Sequence, residues 1–123
     1  MEKINIDLSK FKGQQSSIFT GRPQGKDARA DLHLDILDKK KDTEIVLKIP
    51  NDTSSFNPSF YLGLLYNSYK TLGIDNFNAK YKFDIQVEDK ETKRGIEKNL
   101  EDGMRNAINA LNNKTGLSQF FPN

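Results

Sequence analysis

The chain has 123 residues, of which 19 are basic and 17 acidic, for a formal net charge of +2 at neutral pH. This length suits one domain with a single core, and charges of both signs are interspersed, so the chain has no basic field suited to nucleic acid. Cysteine is absent, which excludes disulfides, a thiolate nucleophile and metal sites built on thiolates.

The sequence also bears on location. It carries no cationic leader and no apolar span long enough to cross a bilayer. We therefore expect a cytoplasmic protein without a membrane partner.

The chain opens on a predicted strand. Ile4, Ile6 and Leu8 alternate with polar residues, which is typical of a strand with one buried face. A second extended segment is predicted over residues 14–20, and we expect it to pair with the first strand as a hairpin.

A helix is predicted over residues 24–39, directly after Pro23, because proline fits the first turn of a helix. The segment is ambiguous, since Leu32, Leu34 and Ile36 also alternate as in a strand. Its length favours the helix.

The middle of the chain predicts a strand, a loop and a second helix. Residues 43–49 form a compact apolar run, typical of a central strand covered on both faces, and Pro50 ends it. A polar loop over 51–57 follows. Apolar side chains then cover much of a helical surface over 58–72, which predicts a buried helix with Gly73 as its C-cap.

After a link over 74–80, the stretch YKFDIQV alternates strictly and predicts a strand over 81–87. Residues 90–112 carry an apolar stripe at helical spacing, and we expect the two glycines inside this helix to lower its intrinsic stability by roughly 1 kcal/mol each. Residues 113–123 are predicted to be a loose tail, in which Phe120 and Phe121 either tie the tail down or contact another chain.

The predicted order β-β-α-β-α-β-α indicates the α/β class. We expect one domain over residues 1–123, with a small mixed β-sheet and helices packed on it.

Catalytic patterns are scarce in this sequence. His33 is the single histidine, and no motif supplies a nucleophile and an orienting group beside it. The carboxylates at 27, 31, 35 and 38 are spaced as on one side of a helix, and we interpret them as a solvated face rather than a metal site. We therefore expect neither an enzyme nor a bound cofactor.

Two arginines are candidate anion contacts. Arg22 and Arg29 lie at and after Gly21-Arg-Pro-Gln-Gly25, a glycine-flanked segment that lacks the lysine of a phosphate-binding loop. Each arginine either binds a phosphate or pairs with nearby aspartates, and the local pairing is favoured.

The polar cluster of loop 51–57 has two interpretations. Ser55, Asn57 or Ser59 is suited to cap the following helix, with Pro58 in its first turn. Alternatively the cluster is a recognition surface, because loops at the carboxyl ends of strands commonly carry binding sites in α/β folds.

The sequence resembles the bacterial STAS-like domains, which are distantly similar to anti-sigma factor antagonists. The similarity lies in FTGRPQGKDARADLHLDIL, VLKIPNDTSSFNPSFYLGLLYNSYK and KYKFDIQVED. The matching positions are Phe19, Arg22, 45–47, Ser59, Phe60 and Phe83.

The resemblance implies a small α/β domain without enzymatic activity that docks a histidine-kinase-like ATPase or switch protein. It also implies control by phosphorylation of a loop serine. Asn57-Pro58-Ser59-Phe60 stands here where antagonists carry Asp-Ser-Ser-Gly. The phosphoacceptor position then coincides either with Pro58, which cannot be phosphorylated, or with Ser59, which is the candidate switch.

Together these patterns predict a regulatory protein-interaction domain. Its candidate partner-binding or switch residues are Asp52, Thr53, Ser54, Ser55, Asn57 and Ser59. The alternatives are an assembly subunit of a phage-defence or toxin system, and a small-molecule or nucleotide binder that uses Arg22 and Arg29. A second copy of the chain, in a homodimer, is also a candidate partner.

Overall fold

A computed structural model of the chain describes residues 1–13 and 16–120, with side chains up to residue 113. Its strands are β1 (Glu2–Asp7), β2 (Ile18–Phe19), β3 (Thr43–Ile49), β4 (Ser55–Phe56) and β5 (Tyr81–Ile85). Its helices are α1 (Arg22–Asp31), α2 (Leu34–Lys39), α3 (Pro58–Leu72), α4 (Ile74–Lys80) and α5 (Lys90–Phe120). The predicted α/β class is confirmed.

Three strands form a parallel sheet in the order β1-β3-β5. The register aligns Ile4 of β1 with Ile45 of β3, and Ile45 with Tyr81 of β5. Each crossover between neighbouring strands carries helices, α1 and α2 before β3 and α3 and α4 before β5. This is the connection that parallel strands require.

The predicted hairpin is wrong. Strand β2 pairs in parallel with β4 rather than with β1, and forms a separate two-stranded sheet. The rings of Phe19 and Phe56 lie on this pair with centroids 5.0 Å apart, and the ring of Phe60 lies 5.2 Å from both. Burial of this aromatic cluster holds β2 against β4. No local pattern in the sequence predicts a pairing between segments so far apart in the chain.

Strand β3 is fully buried on one face and half-buried on the other, whereas its apolar run predicted full cover on both. Ile45, Leu47 and Ile49 are fully buried, while Glu44, Val46 and Lys48 on the opposite face are half-buried. Glu44 and Lys48 make this second face the more polar one.

Helix α3 lies at the centre of the helical layer and packs against α1 and α5. It approaches α1 with no side chain between them: a Cβ on Gly63 would lie 2.1 Å from the carbonyl oxygen of Arg22, and a Cβ on Gly25 would lie 2.3 Å from that of Phe60. On the side of α5, a Cβ on Gly103 would lie 2.5 Å from Cγ of Tyr61. Gly103 thus leaves space for the buried ring of Tyr61. This packing role comes in addition to the loss of helix stability expected of a glycine.

The segment predicted as one helix is two helices. His33 has a φ of 55°, in the left-handed region, and separates α1 from α2. After this break Leu34 is fully buried and Asp38 is only 4% exposed. The break turns α2 so that Asp38 faces the guanidinium of Arg29.

Arg29 and Asp38 form a buried ion pair at the junction of α1, α2, α3 and β5. Nη2 of Arg29 donates to Oδ2 of Asp38 at 2.7 Å, and its other donors reach Asp35, Ser68 and the carbonyl oxygen of Leu64. The favoured pairing of Arg29 with local aspartates is confirmed, whereas the solvated position expected for Asp38 is wrong.

Asp38 also accepts hydrogen bonds from two hydroxyl groups. The hydroxyl of Ser68 donates to Oδ2 at 2.7 Å, and that of Tyr81 donates to Oδ1. Burial, together with the hydrogen bond to Asp38, raises the pKa of Tyr81 well above its usual range, which keeps this hydroxyl protonated. Burying a carboxylate costs free energy unless its oxygens are paired or hydrogen-bonded, and both oxygens of Asp38 have partners.

The elements in the last third of the chain have bounds that differ from the predicted ones. Residues 74–80 form α4 rather than a link, and the ring of Phe77 stacks on Tyr69 with centroids 3.8 Å apart. Strand β5 ends at Ile85. Helix α5 continues to Phe120, past the predicted end at 112, so the backbone of 113–120 is helical. The contacts predicted for Phe120 and Phe121 concern side chains outside the described part of the chain.

The glycine contact between α1 and α3 generates a stability prediction. Gly63→Ala should destabilise the fold by about 3 kcal/mol, because its methyl group collides with backbone that cannot move independently. Gly95→Ala is the control, since its Cβ would meet nothing within 4 Å and should stabilise α5 by about 0.5–1 kcal/mol. Urea denaturation measures both. Equal stability of Gly63→Ala and the wild type would contradict the contact.

The buried ion pair generates a second prediction. Asp38→Asn should lower the free energy of unfolding by about 3 kcal/mol, because it leaves the buried cation of Arg29 only Asp35, which is largely exposed, as an anionic partner. The matched control Asp27→Asn changes an exposed carboxylate on α1 and should stay within about 0.5 kcal/mol of wild type. Similar losses for the two variants would show that Asp38 is not the buried anion.

Candidate functional site

The loops that follow β1 and β3 meet at the carboxyl edge of the parallel sheet. The backbone N–H of Ser54 donates to the carbonyl oxygen of Ser17 at 2.7 Å, and the hydroxyl oxygens of these two serines lie 2.6 Å apart. The edge where carboxyl ends of parallel strands meet is the usual place for ligands and partners in α/β folds.

An ion pair also joins the two loops. Nζ of Lys12 donates to Oδ1 of Asp52. The side chain of Lys12 is only 6% exposed, whereas that of Asp52 is 76% exposed. The lysine therefore anchors the pair while the carboxylate remains on the surface.

An open cleft of about 560 Å³ lies between the loops. Polar side chains dominate its lining: Ser9, Lys10, Lys12, Ser16, Ser17 and Asp52. Lys10 also approaches Asp31 at 3.8 Å, so both lysines of the cleft lie near a carboxylate. The cleft offers hydroxyl groups and paired charges rather than a concentrated field of one sign.

Asp7, at the end of β1, is held in its charged form beside this cleft. The backbone N–H of Ser9 donates to Oδ1 of Asp7 at 2.9 Å, and the hydroxyl of Ser9 donates to the same oxygen. These hydrogen bonds lower the pKa of Asp7, with smaller contributions from Lys48 and Lys12.

The predicted site residues separate into exposed and buried groups. Asp52 and Ser54 are exposed, and Ser55, Asn57 and Ser59 are half-buried. Thr53 is only 2% exposed, and its hydroxyl oxygen makes no hydrogen bond within the described part of the chain. Thr53 therefore lies beneath the surface that a partner would reach, and the loop presents the other five.

Asn57 is the residue that caps α3. Its Oδ1 accepts a hydrogen bond from the backbone N–H of Ser59 at 2.7 Å, and the hydroxyl of Ser59 donates to the same oxygen. Pro58 occupies the first turn, where its missing N–H costs nothing. The capping interpretation is therefore confirmed through Asn57, and the hydroxyl of Ser59 supports the cap.

Three loop contacts were not predicted. Oδ1 of Asn99, on α5, accepts from the backbone N–H of Phe56 at 3.0 Å, and Oδ1 of Asn51 accepts from that of Glu88 at 2.8 Å. The third is the Lys12 ion pair. These contacts span 37 to 43 residues of sequence, and neither periodicity nor spacing carries a signal for them.

The two arginines predicted as anion contacts differ in what their guanidinium groups contact. All the nitrogens of the Arg29 guanidinium donate to protein oxygens, so this side chain is not available to an anion. Arg22 is exposed at the first residue of α1, with its guanidinium carbon 6.0 Å from the ring centroid of Tyr66. His33 is exposed at the junction of α1 and α2.

Within residues 1–13 and 16–120, no three His, Asp or Glu side chains cluster as a metal site would require. In the same part of the chain, no helix has the length and apolar character needed to traverse a membrane.

The cap of α3 generates a third prediction. Asn57→Ala should lower the free energy of unfolding by about 1 kcal/mol, because the N–H of Ser59 loses its acceptor. Ser59→Ala keeps that acceptor and should cost less than Asn57→Ala. Thermal and urea unfolding of both variants measure the order, and a larger loss for Ser59→Ala would contradict the assignment of the cap.

Comparisons of the chain with family models, with curated proteins and with solved structures gave no match. Its similarity to STAS-like domains therefore stays a prediction from short motifs.

Proposed function

We propose that this chain is a non-enzymatic regulatory domain that docks a protein partner through the carboxyl edge of its sheet. The docking surface consists of loop 52–59 and the rim of the adjoining cleft. The partner class is a histidine-kinase-like ATPase or a switch protein of the same pathway, as the STAS-like motifs suggest.

The observation that carries this proposal is the fixed, polar surface made by two loops at this edge. The serine pair and the Lys12–Asp52 ion pair join the loops before any partner binds. A surface that is already ordered loses little conformational entropy on binding. Exposed hydroxyl and carboxylate groups at its rim supply specific polar contacts.

Ser59 is the proposed switch. A phosphate there adds about −1.5 to −2 charge at the amino end of α3, where the helix dipole favours an anion. Its hydroxyl now donates to Asn57, so phosphorylation would replace that contact and reshape the start of α3 beside the docking loop. Docking itself does not depend on the modification.

The nucleotide-binding alternative loses one of its two arginines, because Arg29 is occupied in the core. The cleft also pairs each of its lysines with a carboxylate, which leaves little net positive charge for a phosphate chain. Both observations favour a protein partner over a nucleotide.

A binding experiment with purified proteins tests the proposal. Wild-type chain is titrated into histidine-kinase-like ATPase domains from the same organism, with ADP or ATP present. Ser54→Arg, in the exposed loop, should weaken binding about tenfold or more, because it inserts bulk and charge at the centre of the surface.

Asn78→Arg is the matched control, since it adds the same side chain at an exposed position of α4, before the amino end of β5. It should bind as the wild type does. Absence of binding to every ATPase domain, or equal binding by Ser54→Arg and wild type, would contradict the proposal.

A further inference from the structure

Strand β1 is an edge of the parallel sheet, and its free side points away from β3. The N–H of Glu2 donates to the carbonyl oxygen of Asp42 at 2.9 Å, and that of Leu8 donates to Lys48 at 3.1 Å. Backbone groups of alternate residues point to opposite sides of a strand, so the N–H and C=O groups of Lys3, Asn5 and Asp7 face outward.

These outward N–H and C=O groups are free to form hydrogen bonds with a strand of another chain. Lys3, Asn5 and Asp7 are exposed, and within the described residues their outward backbone groups pair with no other strand. An unpaired strand edge of this kind is a template for another chain.

The sequence of β1 is complementary to itself in one antiparallel register. When two copies pair about Asn5, Lys3 of each copy lies opposite Asp7 of the other, on the polar face of the sheet. On the core face, half-buried Ile4 lies opposite Ile6. The outward backbone groups then meet as hydrogen-bonded pairs, and each side-chain pair matches in charge or in polarity.

Other registers match less well. Centring the pair on Lys3 or on Asp7 places like charges directly opposite one another, which is destabilising. Centring it on Ile4 sets Glu2 against Ile6, and centring it on Ile6 sets Asn5 against Asp7. In both cases the two Lys3–Asp7 pairs are lost, so the pattern selects the register about Asn5.

The opposite edge, β5, is less suited to the same pairing. Nζ of Lys82 already donates to the carbonyl oxygen of Asn78 at 2.6 Å. Nζ of Lys3, by contrast, lies 3.8 Å from the carboxylate of Glu44 in a long ion pair, and its side chain is 62% exposed. An exposed ion pair of this kind contributes little free energy, so Lys3 can turn to a second copy at small cost, whereas Lys82 is held by a short hydrogen bond.

We propose that the chain forms a symmetric homodimer in which β1 pairs antiparallel with β1 of a second copy, centred on Asn5. This pairing joins two three-stranded sheets into one sheet of six strands. The interface is the edge of β1 rather than loop 52–59, and the proposal does not rest on the docking function.

Charge reversal in sedimentation velocity experiments tests the proposal. The wild type should show a concentration-dependent equilibrium between monomer and dimer. Lys3→Asp and Asp7→Lys alone should each weaken dimerisation about tenfold or more, because each places like charges opposite one another twice per dimer. An equimolar mixture of the two variants should restore dimers, because each altered side chain then faces an opposite charge.

Asn5→Pro is the second variant, should either charge reversal disturb the fold. It removes an outward N–H that the β3 ladder does not use, and proline is tolerated at such edge positions. It should give a folded monomer by circular dichroism, while Lys82→Asp on β5 should dimerise as the wild type does. A monomeric wild type, a mixture without rescue, or a dimer that survives Asn5→Pro would each overturn the proposal.

Discussion

The direct contact between α1 and α3 fixes the position of the central helix. Gly25 and Gly63 lie where the two backbones meet, and a side chain on either would collide with the main chain of the other helix. This approach brings Arg29, one turn after Gly25, within reach of the carbonyl oxygen of Leu64 and the hydroxyl of Ser68. The buried ion pair with Asp38 therefore depends on the same contact.

The position of α3 in turn sets the candidate docking surface. Its first residues carry the Asn57 cap, and Phe60 closes the aromatic cluster that holds β2 against β4. Those two short strands bring Ser17 beside Ser54. The packing of α3 in the core therefore fixes the positions of the polar loops at the carboxyl edge. The free edge of β1 takes no part in these contacts.

Periodicity predicted the elements whose burial follows a regular repeat: β1, helix α3, β5 and most of α5. Strand β3 was predicted from its compact apolar run, and the cap of α3 from polar residues beside Pro58. The break at His33 was not predicted, because no glycine or proline marks it; the left-handed residue lets Asp38 face Arg29, nine residues earlier. The β2–β4 pair and the Lys12–Asp52 ion pair were not predicted because they join residues far apart in the sequence. The burial of Thr53 was not predicted either, because its neighbours in the loop are polar.

Helix α3 is the buried element on which the carboxyl-edge loops depend, and native-state amide hydrogen exchange resolved by residue tests this dependence. Amides from Tyr61 to Tyr69 should exchange only through global unfolding, whereas the exposed backbone near Asp52 should exchange much faster. Exchange within α3 as rapid as in that loop, while β3 stays protected, would contradict it.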